Sequence, residues 1–246
     1  MKKKEIILKA ENVTKYYGQE KVLDIEQFNL YQNAFNFLLG ANGSGKTTLL
    51  RILSLVDKDY NGQLSYCGKE INKQESELLN LRRKFSVIWQ EPYLYNKSVA
   101  DNIGLPLKLR KKSKNCIKNK VAELAKELKI SHLLDKNSKQ LSGGEKQKVS
   151  IARALITEPE ILFIDEPTTN LDYKSNQFFN ELFTKLVAKG VTILLITHDL
   201  YQIEKLAEYI TILKQGKIVI NEHKEQVLNE GELEGNNIIG QKLVFA

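Results

Sequence analysis

Cysteine is scarce in this chain of 246 residues: Cys67 and Cys116 are the only two, far apart and without Cys-x-x-Cys spacing. That excludes a disulfide framework and a cysteine-based metal site, and the pair reads as incidental thiols of a reducing cytosol. The chain also lacks any run near the roughly eighteen apolar residues that a membrane helix requires. Its first residues, Met1-Lys2-Lys3-Lys4, are basic like a signal peptide, but the apolar stretch that follows is only Ile6 to Leu8 before Lys9, too short for that role. There is no internal repeat and no low-complexity linker. The hydrophobic share of 42% and charged share of 27% are ordinary for a soluble globular protein, and the length suffices for one α/β core with a subdomain set into it.

Acidic residues are missing from one window. Lys108, Arg110, Lys111, Lys112, Lys114, Lys118 and Lys120 fall together with no Asp or Glu among them, and they equal the whole net charge of +7. One reading is a solvated loop and helix face. The other is a surface near anionic lipid headgroups or an acidic partner. No aromatic residues interleave with these cations, so the stacking platform of a single-strand binder is missing and no nucleic acid is expected as a partner.

From Ile6 to Leu39, short apolar runs alternate with turn signals such as Tyr17-Gly18, which predicts antiparallel β structure leading into a buried strand at Phe35–Leu39. A helix is predicted from Gly45 or Lys46 to about Leu55. Asn61-Gly62 is predicted as a turn between two short strands, and Phe85–Trp89 as a further strand ending at Gln90. From Glu91 to about Ser150 the β-branched runs disappear, and Val121, Leu124, Ala125 and Leu128 recur at helical spacing, so residues 91–150 are expected to be a helical insert within a single domain spanning 1–246. Strands then return at Ile161–Ile164 and Val191–Thr197, with an amphipathic helix from Gln177 to Ala188 between them. Fully apolar strands alternating with helices indicate a parallel sheet covered on both faces. Ile210–Ile220 reads as a hairpin turning at Gln215-Gly216.

Two motifs carry the chemistry. Gly40-Ala41-Asn42-Gly43-Ser44-Gly45-Lys46-Thr47 has the G-x-x-x-x-G-K-T pattern between a predicted strand and helix. Its glycines let N–H groups converge on a phosphate chain at a helix amino end, Lys46 would lie against the β- and γ-phosphates, and the Thr47 hydroxyl would coordinate Mg²⁺. Ile161-Leu162-Phe163-Ile164-Asp165-Glu166 brings two carboxylates to the end of a buried strand, the edge where open α/β sheets bind ligands. Asp165 would hold the Mg²⁺ shell, and Glu166 would orient and polarise the attacking water. Further on, Ser142-x-x-Glu145 forms an ordinary capping box, but that leaves Gly143-Gly144 unexplained; a glycine pair at a helix start admits close approach by an anion. His198 follows an apolar strand, which suits a structural hydrogen-bonder or, one strand after Asp165-Glu166, a γ-phosphate contact.

Taken in order, Tyr17, Gly40–Thr47, Gln90, Leu141-Ser142-Gly143-Gly144-Glu145, Asp165-Glu166, Asn170-Leu171-Asp172 and His198 resemble the ATP-binding subunit of an ABC transporter over nearly the full chain. The resemblance implies a P-loop NTPase of the α/β class, with a RecA-like parallel sheet, an N-terminal antiparallel β subdomain and an inserted helical subdomain. It implies ATP and Mg²⁺ as ligands and nucleotide contacts along Gly40, Ala41, Asn42, Gly43, Ser44, Gly45, Lys46, Thr47 and Thr48. Thr47, Gln90 and Asp165 become the metal ligands, and Glu166 and His198 the catalytic pair. Tyr17 would stack on adenine, with Tyr16 the alternative. Ser142, Gly143, Gly144 and Glu145 would meet ATP held by the opposing subunit, and Asp172 would communicate across the dimer.

By the same resemblance the working unit is a head-to-tail dimer of this chain, or of this chain and a paralogue, on the cytoplasmic face of the membrane. A separate transmembrane permease would provide the pathway, with an extracytoplasmic solute-binding protein as a further partner. The stretch Trp89–Ile103 is similar to that of tungstate or molybdate importers, whereas Leu105-Pro106-Leu107 is similar to lipoprotein and peptide exporters. A soluble, non-transport ABC ATPase is the rival from another class, but the long coiled coil or tandem cassette of such proteins is missing. Three positions depart from the commoner pattern: Glu145 where many relatives have glutamine, Lys148 where they have arginine, which removes a planar fork, and Asn170 where alanine is commoner.

Overall fold

The computed structural model describes residues 4–166 and 173–227, with only the backbone of Tyr173 and Leu200. Alternating apolar residues open the chain as β1 (Ile6–Tyr17) and β2 (Glu20–Tyr31), which pair antiparallel, and β3 (Phe35–Leu39) then enters a second sheet. The loop after β3 leads to α1 (Lys46–Leu53), followed by β4 (Asn61–Tyr66), β5 (Lys69–Glu70), α2 (Glu75–Arg82) and β6 (Phe85–Ile88). Next come α3 (Val99–Leu109), α4 (Lys114–Glu127) and α5 (Gly143–Leu155) without an intervening strand. The chain then alternates through β7 (Ile161–Asp165), α6 (Tyr173–Ala188), β8 (Thr192–Ile196) and α7 (Leu200–Leu206) to the hairpin of β9 (Tyr209–Lys214) and β10 (Lys217–His223).

Two sheets result. The smaller is antiparallel, in the order β2-β1-β4-β5. The larger runs β10-β9-β3-β8-β7-β6, with β10 antiparallel to β9 and the other neighbours parallel. Every residue of β3, β7 and β8 is buried, the pattern of parallel strands covered on both faces. The one amide among them, Asn36, is satisfied: its side chain accepts from Tyr31 N at 2.9 Å and donates to Tyr31 O at 2.9 Å. One face packs with α1 and the antiparallel sheet through Phe28, Leu49, Leu50, Phe163 and Leu194. The other packs with the later helices through Phe37, Ile151, Ile164, Phe179, Phe183 and Ile203. This is the α/β P-loop fold that the resemblance implies.

Several boundaries differ from the sequence reading. Asn61-Gly62 is not a turn but the first two residues of β4. Gly62 has φ +98° and a Cβ there would meet Asn12 O at 2.3 Å, so the glycine admits a close crossing with β1 where the register is irregular. The turn lies instead at Cys67-Gly68, both at positive φ, between β4 and β5. In the 91–150 stretch, regular helix begins only at Val99, and the last helix runs past Ser150 to Leu155. The helix expected from Gln177 starts at Tyr173, and α2 and α7 were not anticipated.

Candidate functional site

The phosphate loop is fixed by the strands around it. Gly40 has φ +151°, and a Cβ there would meet Leu213 O of β9 at 2.2 Å, so only glycine lets β3 leave the sheet beside β9. Ser44 O accepts from Gly216 N at 3.0 Å, and Gly216 O from Asp24 N at 2.8 Å, strapping the loop to the β9–β10 turn and to β2. Gly45 precedes α1 as its cap residue in a left-handed conformation, with no side-chain cap hydrogen bond and no acid in the helix's first turn. The amino-end N–H groups therefore have no side-chain acceptor, the state in which a helix start binds an anion.

Lys46 sits in the first helical turn, 7% exposed, and donates to Gly40 O at 2.7 Å and Ala41 O at 2.9 Å. Burial pulls its ammonium below the ordinary lysine pKa, only partly offset by the charges of Glu166 and Asp165. Nearby, Ser44 Oγ is buried without a hydrogen-bond partner. A cation held only by backbone carbonyls and a buried hydroxyl without a partner fit a phosphate chain as the missing acceptor.

The opposite wall comes from β7, β8 and the end of β6. Asp165, the last residue of β7, accepts from Thr47 Oγ1 at 2.9 Å, so two of the predicted metal ligands are already in contact. Burial raises the Asp165 carboxyl above the usual range; the Thr47 hydrogen bond opposes this and the Glu166 charge adds to it. Glu166 turns away at φ 44°, an uncommon backbone for glutamate, while its N–H still donates to Ile196 O at 3.0 Å. Its carboxylate is held from two sides: Gln90 Nε2 donates to Oε2 at 3.0 Å, and His198 Nε2 lies 3.0 Å from Oε1. The turn carrying His198 is locked by Thr197, whose hydroxyl accepts from Asp199 N at 3.1 Å and donates to Gln202 Oε1 at 3.0 Å. Asp199 in turn caps α7 through Tyr201 N and Gln202 N.

These groups enclose a cleft of about 490 Å³. Asn42, Gly43, Gly45, Lys46, Thr47 and Thr48 line one side, and Gln90, Asp165, Glu166 and His198 the other. Val22, near the start of β2, also lines it; no motif marks that residue, and only the antiparallel return of β2 brings it there.

Other predicted residues lie elsewhere. Tyr16 and Tyr17 end β1 exposed and outside the cleft, with Lys21 Nζ 5.9 Å from the Tyr16 ring and Lys15 Nζ 5.1 Å from the Tyr17 ring. None of Ser142, Gly143, Gly144 and Glu145 lines the cleft. Ser142 caps α5 in a full capping box: its Oγ accepts from Glu145 N at 3.3 Å, and its N–H donates to Glu145 Oε2 at 2.8 Å. That backbone hydrogen bond is the main reason the Glu145 carboxyl lies below its ordinary value. A Cβ on Gly143 would meet nothing within 4 Å. The fold of this chain thus gives no steric reason for glycine there, and the space lies open on the surface. Asn170, Leu171 and Asp172 lie outside the described residues.

A phosphate loop between a parallel strand and a helix, facing two carboxylates, a glutamine and a histidine at one sheet edge, defines a P-loop ATP-binding cassette. Residues 23–169, more than half the chain, match the family model described as ABC transporter. A tungstate uptake system ATP-binding protein of Peptoclostridium acidaminophilum is 36% identical over 208 residues, covering 84% of this chain and 94% of that protein. A spermidine/putrescine import ATP-binding protein of Mesoplasma florum is 34% identical over 233 residues, 92% of this chain and 64% of that one. Among solved structures, cbiO1 from Clostridium perfringens, part of an ABC transporter complex, superposes with a TM-score of 0.81 at 27% identity, covering 94% of this chain and 93% of that one. A dimeric ATP-binding cassette in a post-hydrolysis state, bound to ADP and Pi, superposes with a TM-score of 0.80 at 30% identity over 88% of this chain and 98% of that one. The chain belongs to the ABC transporter family, as an ATP-binding, ATP-hydrolysing subunit. Among the described residues no helix is long and apolar enough to cross a membrane.

Proposed function

We propose that two copies of this chain close head-to-tail around two ATP molecules, and that closure and reopening drive a separate membrane-spanning permease at the cytoplasmic face. The observation that carries this reading is the division of the predicted site. The phosphate loop, Gln90, Asp165, Glu166 and His198 share one cleft, while Ser142 and Gly143 stand outside it on a capped helix start with open space in front. A dimeric cassette and relatives named for tungstate, spermidine/putrescine and methionine import support it. We favour import, with an oxyanion such as tungstate or molybdate as cargo and an extracytoplasmic binding protein as a further partner.

In the cleft, the α1 amino end and Lys46 bind and orient the phosphate chain, and Lys46 exchanges its carbonyl partners for phosphate oxygens. Thr47 and Asp165 would hold Mg²⁺ with Gln90, leaving the other positions to water and phosphate, as that ion prefers. Such an ion would neutralise charge on the phosphates. Glu166 is aimed by Gln90 and His198 and takes the proton of the attacking water. His198 and Gln90 line the cleft beside Glu166 and would contact the γ-phosphate there. ATP then acts as a ligand of higher affinity for the closed dimer, which is what displaces the equilibrium.

Replacing Glu166 by Gln keeps its shape and removes its basicity. Turnover is expected to fall about 10²–10⁴-fold with ATP binding retained. Near-normal turnover by this variant, measured as phosphate release, would overturn the role given to Glu166. Cargo is read by uptake of labelled tungstate in cells with and without the chain; unchanged uptake removes the oxyanion assignment.

A further inference from the structure

The turn that joins α3 to α4 carries positive charge that the rest of the molecule leaves unanswered. α3 closes with Lys111 N donating to Lys108 O at 3.0 Å and Lys112 N to Leu107 O at 3.1 Å. Lys111 takes φ 56° there, the left-handed position that glycine usually fills. Ser113 then caps α4 by accepting from Cys116 N at 3.3 Å. Gly104 lets the two helices pack closely, since a Cβ there would meet Ile117 Cγ2 at 2.8 Å. Arg110 pins the turn to the core by donating to Arg83 O at 2.6 Å and to Thr157 O at 3.4 Å. Those carbonyls lie just before β6 and β7, so the turn sits at the edge where the parallel strands begin, opposite the nucleotide cleft.

Around this anchor Lys108, Lys111, Lys112, Lys114 and Lys118 are all exposed, and none is joined to a carboxylate among the described residues; only Lys120, at the margin, is paired, with Glu158. Elsewhere the surface mixes its signs. Lys58 and Arg82 share Glu75, Lys84 meets Glu160, and Lys21 and Lys217 share Asp24. α4 itself returns to mixed charge at Glu123, Lys126 and Glu127. Lys108 suits the carbonyl end of α3, but Lys114 opens α4 with no acid in its first turn, where the macrodipole disfavours a cation. Arg110 brings no relief: burial and then the neighbouring Arg83 charge lower its pKa, and only carbonyls hold it. An anion outside the protein answers all of these charges at once.

Leu109 identifies the kind of anion. It is 73% exposed, more than any other large hydrophobic side chain among the described residues, and Lys108, Lys111 and Lys112 surround it in sequence. An apolar tip in a basic collar matches a bilayer interface, with cations on the headgroups and the leucine between them. No Phe, Trp or Tyr lies between Tyr95 and Phe163, so a nucleic acid would find cations there but no stacking platform. We propose that the α3–α4 turn is a peripheral membrane contact that binds anionic phospholipid headgroups directly, without the permease and without nucleotide. The inference rests on the transporter reading, which brings the chain beside a bilayer.

The test uses the purified full-length chain and vesicles free of permease, made of phosphatidylcholine alone or of equal parts phosphatidylcholine and phosphatidylglycerol. Co-sedimentation is expected with the anionic vesicles only, and to decline as salt rises. Replacing Lys108, Lys111, Lys112 and Lys114 together by Gln should weaken it at least about tenfold, since each cation beside an anionic surface is worth about fivefold. Leu109→Ser alone should weaken it severalfold. A comparison variant, with Lys69, Lys126, Lys185 and Lys189 replaced by Gln, removes the same charge from exposed positions elsewhere and should bind within about twofold of the parent. Unchanged ATP affinity and melting point in the patch variant would tie its loss to the surface itself. Equal losses in the two combined variants would show that net charge alone drives binding, and would overturn the proposal. So would equal binding to both vesicles, no binding to either, or tighter binding to a single-stranded oligonucleotide than to the anionic vesicles. Copurification with a permease tests the transporter reading separately, and its failure beside intact vesicle binding would overturn that reading alone.

Discussion

Lys46 carries a charge that the surrounding protein shelters but does not pair, and the cost of that arrangement separates folding from function. Because burial places its folded pKa below the ordinary 10.5, the charged form costs stability at neutral pH, and the cost is relieved only as pH rises from the lowered value toward 10.5. Lys46→Met is therefore expected to melt no lower than the parent without nucleotide, yet to lose about 10–100-fold in ATP affinity, the worth of a charge-assisted hydrogen bond. Calorimetry with and without nucleotide measures both. Asp165 shows the opposite polarity. Its folded pKa lies above the ordinary 3.8, so its contribution to stability is full below 3.8 and lost as pH rises through the raised value. A metal ion needs the ionised form. The Mg²⁺ concentration for half-maximal turnover should therefore climb on acidification, beginning at a higher pH than an ordinary carboxylate would dictate. Asp165→Asn should need high Mg²⁺ at every pH; an unaltered profile in that variant would exclude Asp165 as the titrating ligand.

At this scale the sequence was legible wherever spacing implied chemistry. Lys46, Thr47, Asp165, Glu166 and His198 were each named from motifs, and the fold brings all five to one cleft. Val22 was not, because no local pattern marks a residue whose position depends on strand register.

Among the elements, glycine separates two kinds of constraint. Gly40 is held by the fold: Gly40→Ala drives a methyl into Leu213 O, and β3 and β9 are both central strands that cannot yield. The expected loss is about 1–3 kcal/mol, the usual cost of overpacking. Gly143, at the start of α5, has open space around it, so Gly143→Ala should leave the melting point unchanged or raise it slightly. Its cost should show only in ATP-driven dimerisation. Equal melting shifts in the two variants would refute the distinction. The same contrast explains a misread element. Asn61-Gly62 looked like a turn because the pair tolerates positive φ, but the conformational freedom is used to let β4 cross Asn12 closely, and Cys67-Gly68 makes the turn. The helix α2 escaped detection because it buries only Leu78, too little to leave an apolar period in the sequence. The buried strands β3, β7 and β8 were legible because a strand covered on both faces must be apolar throughout.

For the whole molecule, the central claim is that the unit of work is a pair of chains. Within one chain the cleft has a phosphate loop, two carboxylates and a histidine, but the Ser142 helix start faces elsewhere. Spacing alone does not give that division, because a motif says which residues bind and not whose ligand they bind; in the sequence it was legible only through the resemblance of the ordered motif set to the ABC family. The most direct test places Ser142→Arg in the Glu166→Gln background, where trapped ATP should hold the dimer closed. The parent, at 28.2 kDa per chain, should double its mass on ATP addition. The double variant should remain monomeric while binding ATP with the parent's affinity. An undiminished dimer, or a loss of ATP affinity in the monomer itself, would contradict the assignment of Ser142 to the neighbouring chain's nucleotide.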